Sequence, residues 1–178
     1  MSNYTFISQR LGFRNWNESD IELLYKINSD KDVMEFFPSI PSLEETKDFI
    51  KRMQTHFVKN GFCYFAVDLI DTNEFIGFIG LCKQTYKTEF SPFIDIGWRL
   101  KKSVWNQGLA TEGAKACLEY GFKNFNLETI YSIAPLINLK SQRIMEKIGM
   151  EFDSTFSHPK IEKCHILNKC VFFKVESI

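Results

Sequence analysis

The chain has 178 residues, 44% hydrophobic and 15% aromatic, enough for one well-buried core and too short for two ordinary domains, so a single domain over residues 1–178 is expected. Its 22 basic and 22 acidic residues cancel, and no long run of one sign marks a nucleic-acid or membrane surface. No apolar run approaches a membrane span, and Met1-Ser2-Asn3-Tyr4 lacks a basic segment followed by an apolar one, which points to a soluble, cytoplasmic protein with self-association left open.

Residues 5–14 read as a first strand. Asn17 or Ser19 then caps a helix whose apolar positions Ile21, Leu24, Tyr25 and Ile27 fall near helical spacing, and Pro38 and Pro41 interrupt regular structure after it. Ser42 with Glu45 three residues on forms a capping box. Phe49, Ile50, Met53 and Phe57 make one apolar face of that second helix before Asn60-Gly61 stops it. Residues 62–70 and 75–83 are strand-like and joined by Asp71-Thr72-Asn73-Glu74, which suits an antiparallel hairpin. Residues 93–100 form the fourth strand, and the helix after it carries Ala110, Ala114, Leu118, Gly121, Phe122 and Phe125 at intervals of three or four. Residues 129–134 make a fifth strand. Asn138 opens a short helix with Ile144 and Ile148 inward, ended by Gly149 in the left-handed position. Two strands, residues 151–157 and 164–175, close the chain.

The five cysteines, Cys63, Cys82, Cys117, Cys164 and Cys170, are odd in number and scattered, and read as reduced core thiols. A zinc cluster drawn from His158, Cys164, His165 and Cys170 is disfavoured, because adjacent Cys164 and His165 would point to opposite faces of a strand. No metal is expected.

The stretch richest in chemistry is Trp105-Asn106-Gln107-Gly108-Leu109-Ala110-Thr111-Glu112, a small-residue turn leading from the fourth strand into a helix. A helix starting there offers unpaired N–H groups and the positive end of its dipole to an anion. Gly108 lets a ligand approach the backbone, so the turn suits a pyrophosphate. It is neither a Walker loop nor a dinucleotide fingerprint. What it resembles is the coenzyme A signature of the GNAT acetyltransferases, x-x-Gly-x-Gly/Ala, and Ile96-Gly97-Trp98-Arg99-Leu100 before it resembles the RimJ/RimL branch. Three further segments carry the resemblance: Gln9-Arg10-Leu11-Gly12-Phe13-Arg14-Asn15-Trp16 with Ser19-Asp20, Phe75-Ile76-Gly77-Phe78-Ile79-Gly80, and Asn138-Leu139-Lys140-Ser141-Gln142-Arg143-Ile144-Met145-Glu146-Lys147-Ile148-Gly149-Met150.

The resemblance covers nearly the whole chain and implies an α/β (α+β) GNAT fold: a mixed, mostly antiparallel sheet of about seven strands flanked by about four helices. The coenzyme is expected in a cleft between strands four and five. It implies direct transfer of an acetyl group from acetyl-CoA to an amine, with no metal. Backbone N–H groups from Gln107 through Gly108, Leu109 and Ala110 to Thr111 would hold the pyrophosphate, and main-chain groups of Trp98, Arg99 and Leu100 the pantetheine arm. Asn138 would hydrogen-bond that arm from the other side. Asp95, sharing a strand face with Gly97 and Arg99, is the first candidate for the base, with Glu35, His56 and Glu89 behind it. A free α-amine titrates near about 8 and a lysine near about 10.4, so a weak base suits an α-amine or a similar small amine.

Met145 stands where many of these enzymes carry an acidic tyrosine, and Ser141, one turn earlier, is the nearest hydroxyl that could serve. Structural alternatives stand beside each assignment. Gly108 also serves as a helix-entry glycine, Asn138 as an N-cap, Asp95 as a solvated or ion-paired strand residue, and Ser141 as a local cap. Phe36 and Phe37 are candidates for the amine pocket, against core packing. A non-catalytic acyl-CoA-binding or sensing module is the functional alternative.

Overall fold

The first strand expected from the sequence folds back on itself. In the computed structural model, which describes residues 4–88 and 91–177, β1 (Phe6–Ile7) and β2 (Leu11–Arg14) pair antiparallel instead of running on as one strand. The polar triplet Ser8-Gln9-Arg10 makes the bend. Ser8 Oγ accepts the Leu11 N–H at 3.2 Å, and the Arg10 N–H donates to Glu112 Oε1 at 2.8 Å. The described sheet therefore has eight strands, in the order β1-β2-β3-β4-β5-β6-β8-β7.

Helix α1 (Asp20–Asn28) follows Ser19, whose side chain makes no cap; the Asp20 carboxylate accepts the Asn17 N–H instead, at 2.8 Å. Helix α2 (Leu43–Asn60) starts with the expected capping box and stops at Gly61, φ 78°. Strands β3 (Tyr64–Leu69), β4 (Glu74–Gln84) and β5 (Phe93–Leu100) form an antiparallel meander. Then come α3 (Leu109–Phe125), β6 (Thr129–Pro135), α4 (Leu139–Lys147), β7 (Glu151–Ser157) and β8 (Lys169–Glu176). The last strand begins later than its apolar pattern suggests. Asn168 closes residues 158–168 into a loop, its Nδ2 donating to the carbonyls of His158 and Ile161 at 3.2 and 2.7 Å. Cys164 and His165 lie in that loop rather than on a strand, and no group of metal-ligating side chains is assembled among the described residues. Nor is any described helix long and apolar enough to cross a membrane.

The sheet is covered on both faces. On one, α3 presses against β4 because Gly113 and Gly121 leave room: a Cβ on them would stand 2.4 Å from Ile79 Cδ1 and 2.5 Å from Leu81 Cδ1. On the other, Trp16, Phe49, Tyr64 and Phe78 pack ring on ring under α1 and α2.

The start of α1 is tied to the sheet by a partly buried cation. Arg14 on β2 bridges Asp20 (2.7 and 2.9 Å) and Asp68 (2.7 and 3.0 Å) with paired hydrogen bonds. Removing the guanidinium leaves two carboxylates, 1% and 6% exposed, without their counter-charge. Arg14→Met is expected to cost about 3–5 kcal/mol of stability, read as a lower urea midpoint at unchanged slope.

Candidate active site

Strands β5 and β6 run parallel, yet they pair only at Asp95 and Tyr131. Next to that register the Ser132 hydroxyl donates to the Ile96 carbonyl at 3.0 Å. Beyond it the strands part, β5 staying with β4 and β6 with β8. Because the N-terminal strand is split in two, these are the strands expected as the fourth and fifth from the sequence. The gap opens into a cleft of about 470 Å³ lined by Trp98, Arg99 and Leu100 of β5, the 104–111 turn, and Asn138, Ser141 and Ile144 of α4.

One wall of the cleft is the N-terminus of α3. Gly108 is its N-cap in the left-handed conformation, φ 77°, and no side chain caps it. The N–H groups of Leu109, Ala110 and Thr111 precede the first bond of the helix, from the Glu112 N–H to the Gly108 carbonyl at 3.0 Å. A Cβ on Gly108 would meet nothing nearer than Arg10 Nη2, 3.7 Å away. Arg10 is anchored by Glu112 Oε2 (2.7 Å) and the Gln107 carbonyl (3.1 Å). The helix dipole and a guanidinium thus converge on one spot. Gln107 does not line the cleft, its side chain donating instead to the Ser103 carbonyl.

Across from α3, Lys140, Arg143 and Lys147 line the cleft from α4. Sequence reasoning assigned no role to these cations or to Arg10. Their spacing of three and four residues was the available signal, since it stacks them on one helix face. Trp105 Nε1 donates to the Leu100 carbonyl at 2.8 Å, so that main-chain group already has a partner. Asn138 Oδ1 accepts the Ser141 N–H at 3.1 Å, while its Nδ2 has no partner among the described residues. Met145 is buried in the core at 1% exposure, and Ser141 faces the cleft.

Asp95 is not a solvated strand residue. It is buried at the register where β5 and β6 begin to part, and it lines no part of the cleft. The Tyr64 hydroxyl donates to its Oδ1 at 2.6 Å, and Gln84 Nε2 reaches both oxygens at 3.1 Å. Burial raises its pKa from 3.8 to about 6, against the opposing pull of those hydrogen bonds. The Tyr64 ring lies against Gly97, its nearest atoms 3.2–3.4 Å from where a Cβ there would stand. Of the other candidate bases, His56 is occupied structurally: Nδ1 binds the Phe62 carbonyl at 2.7 Å and Nε2 accepts the Lys83 N–H at 3.0 Å. Glu35 lines the cleft 3.9 Å from Lys140. Glu89 lies outside the described residues.

Phe36 and Phe37 line the same cleft, and Phe37 covers the Arg99 guanidinium, 4.1 Å from carbon to ring centre. Phe78 flanks it on another side at 5.3 Å, and Asn28 Oδ1 accepts from Nη1 at 2.7 Å. Burial lowers the Arg99 pKa to about 10, leaving it cationic at neutral pH. A second depression of about 1020 Å³ runs beside α2 and shares Arg99 with the cleft.

A mixed sheet is parted beside an uncapped helix terminus with a cationic wall opposite, and the family match makes the chain an acyltransferase. Residues 10–151 match the acetyltransferase (GNAT) domain model, and the chain belongs to that family. The uncharacterized N-acetyltransferase YnaD of Bacillus subtilis (strain 168) is 33% identical over 150 residues, 84% of each chain. The crystal structure of a GNAT-family acetyltransferase from Bacillus anthracis is similar at a TM-score of 0.77 and 28% identity, over 96% of each chain. RimL, a ribosomal L7/L12 alpha-N-protein acetyltransferase solved in complex with coenzyme A, has a TM-score of 0.77 at 14% identity, also over 96% of each chain.

Proposed function

We propose that the whole chain is one acetyl-CoA-dependent N-acetyltransferase of the RimJ/RimL-like branch, acting in the cytoplasm. It transfers an acetyl group directly to a primary amine, either a protein N-terminal α-amine or the amine of a small molecule. The observation that carries this reading is the uncapped start of α3, facing the gap between β5 and β6. Acetyl-CoA supplies the acyl group as an activated thioester.

The N–H groups of Leu109, Ala110 and Thr111 hold the pyrophosphate, Gly108 allows its approach, and Arg10, Lys140, Arg143 and Lys147 surround the phosphates with positive charge. Gln107 supports the turn through its carbonyl bond to Arg10. Main-chain groups of Trp98, Arg99 and Leu100 meet the pantetheine arm as a neighbouring strand would, and Asn138 Nδ2 donates from α4. On the acceptor side, Phe36 and Phe37 wall the amine pocket. The amine gives its proton to the Tyr64 oxygen as the Tyr64 proton passes to Asp95 Oδ1, so Asp95 is the net base. The Ser141 hydroxyl, with water behind it, returns a proton to the leaving sulfur. Serine is a weak acid, and Ser141→Ala is expected to lower kcat by about 10-fold, short of the usual range for a general acid, with acetyl-CoA affinity unchanged.

Calorimetric titration with acetyl-CoA, then thiol release in the presence of N-terminal peptides, polyamines and aminoglycosides, tests the reading. Micromolar binding with acceptor-dependent release supports it. Binding without release for any amine favours the non-catalytic module, and no binding removes both.

A further inference from the structure

The groove beside α2 has a charge pattern that the coenzyme does not account for. Five cations face it, Lys51, Arg52, Lys59, Lys83 and Arg99, against the carboxylates of Glu45 and Asp48. Glu45 is already engaged by the Ser42 N–H at 2.7 Å. None of the five cations has a carboxylate partner among the described residues. In a chain of zero formal charge, this is a local excess aimed into one depression.

Arg99 is the most telling of them. Its Nε is buried without a hydrogen-bond partner, and a partly buried cation held by rings and one amide oxygen is completed by an anion entering from the groove. The coenzyme phosphates are distant in kind and in place. Their seat is the start of α3, whereas the Arg99 side chain lies on the sheet face of Asp95 and Phe78, under α1 and α2.

The dimensions favour a chain over a small amine. From Glu45 to Lys59, α2 rises about 21 Å, the length of about six extended residues. Cations stand at both ends: Arg99 pairs with Phe78 on β4, and Lys83 lies five residues further along that strand, about 17 Å away. Gly97, on the same face as Arg99 and two residues before it, leads to the parting of the strands.

We infer that this groove receives the N-terminal segment of an acidic peptide, with Arg99 pairing with a carboxylate close behind the acceptor amine. The inference rests on the acetyl-transfer reading above. It names the acceptor class of that same site.

Three hexapeptides that differ only at their second to fourth residues, acidic, neutral or lysine-bearing, test it with acetyl-CoA present. Thiol release should favour the acidic peptide over the lysine peptide by at least about 100-fold in kcat/KM, and about 0.5 M salt should narrow the ratio. Arg99→Gln should cut the preference for the acidic over the neutral peptide in kcat/KM about 10- to 100-fold, a ratio that any shared loss in coenzyme handling leaves unmoved. Reversing the exposed cations, Arg52→Glu with Lys83→Glu, should shift preference toward the lysine peptide without touching Arg99. Fluorescence anisotropy of the same peptides, labelled at the C-terminus, reads the groove without turnover. Equal binding of the acidic and lysine peptides, or preference for lysine, overturns the inference. Selective binding of the acidic peptide with no thiol release upholds the groove assignment and overturns the proposed reaction.

Discussion

Gly108→Asp is expected to abolish acetyl-CoA binding while the protein stays folded. The residue sits at φ 77°, where an L side chain costs about 1–2 kcal/mol, and aspartate is among the side chains that tolerate the region best. Space is available, since a Cβ would meet only Arg10 Nη2 at 3.7 Å. A carboxylate there would lie over the free N–H groups of α3 and beside the Arg10 guanidinium, partly offsetting the backbone cost as an N-cap. The variant therefore carries its own anion in the seat proposed for the pyrophosphate. Affinity for acetyl-CoA should fall by at least about 100-fold, or about 2.8 kcal/mol. Gly108→Ala carries the same backbone cost without the charge and should lose less than about 10-fold, which separates occupation of the seat from strain. Calorimetry reads both, and a melting temperature within about 8 °C of the parent verifies the fold. Undiminished affinity in Gly108→Asp would move the phosphate site away from α3.

The parts of the fold that were legible in the sequence are those set by neighbours in the chain. The capping box at Ser42 and Glu45, the left-handed stop at Gly61 and the bounds of β5 need only local hydrogen bonds and apolar spacing. The turn before α3 belongs with them. What escaped was set by contacts between distant segments. The bend at Ser8-Gln9-Arg10 is fixed by Glu112, 102 residues on from Arg10, and residues 158–168 form a loop because of the Asn168 amide rather than a break in hydropathy. At the candidate site the same division holds. The N–H groups of α3 follow from one stretch of sequence. The burial of Asp95 depends on Tyr64 and Gln84 from two other strands, and the unpaired state of Arg99 depends on what α1, α2 and β4 bring around it. Composition describes a neutral chain. Only the folded arrangement sorts its cations into the α2 groove and the cleft.

Asp95→Asn should cost activity and add stability, and both effects come from one pKa. The carboxyl titrates near 3.8 in the unfolded chain and near about 6 in the folded protein. The folded state thus binds this proton more tightly than the unfolded state. Stability from this group is therefore fully present below about pH 3.8 and is lost as pH rises through about 6, amounting to about 3 kcal/mol. Asparagine keeps an acceptor for the Tyr64 hydroxyl and carries no charge to bury. At pH 8 the variant should be more stable than the parent by up to about 3 kcal/mol, and near pH 4 the two should converge, as urea unfolding at each pH will read. Turnover moves the other way. With no base to receive the proton passed through Tyr64, kcat should fall about 100- to 1000-fold, and the limb of kcat/KM near pH 6 should vanish. A limb near about 8 from an α-amine acceptor should persist. Tyr64→Phe separates a relay from simple packing: it removes the hydrogen bond that pulls the Asp95 pKa down, so the residual activity should show its acid limb displaced above pH 6. An Asp95→Asn protein that gains stability at pH 8 yet keeps the parent rate and pH profile would leave Asp95 a buried structural carboxylate and pass the role of base to Glu35.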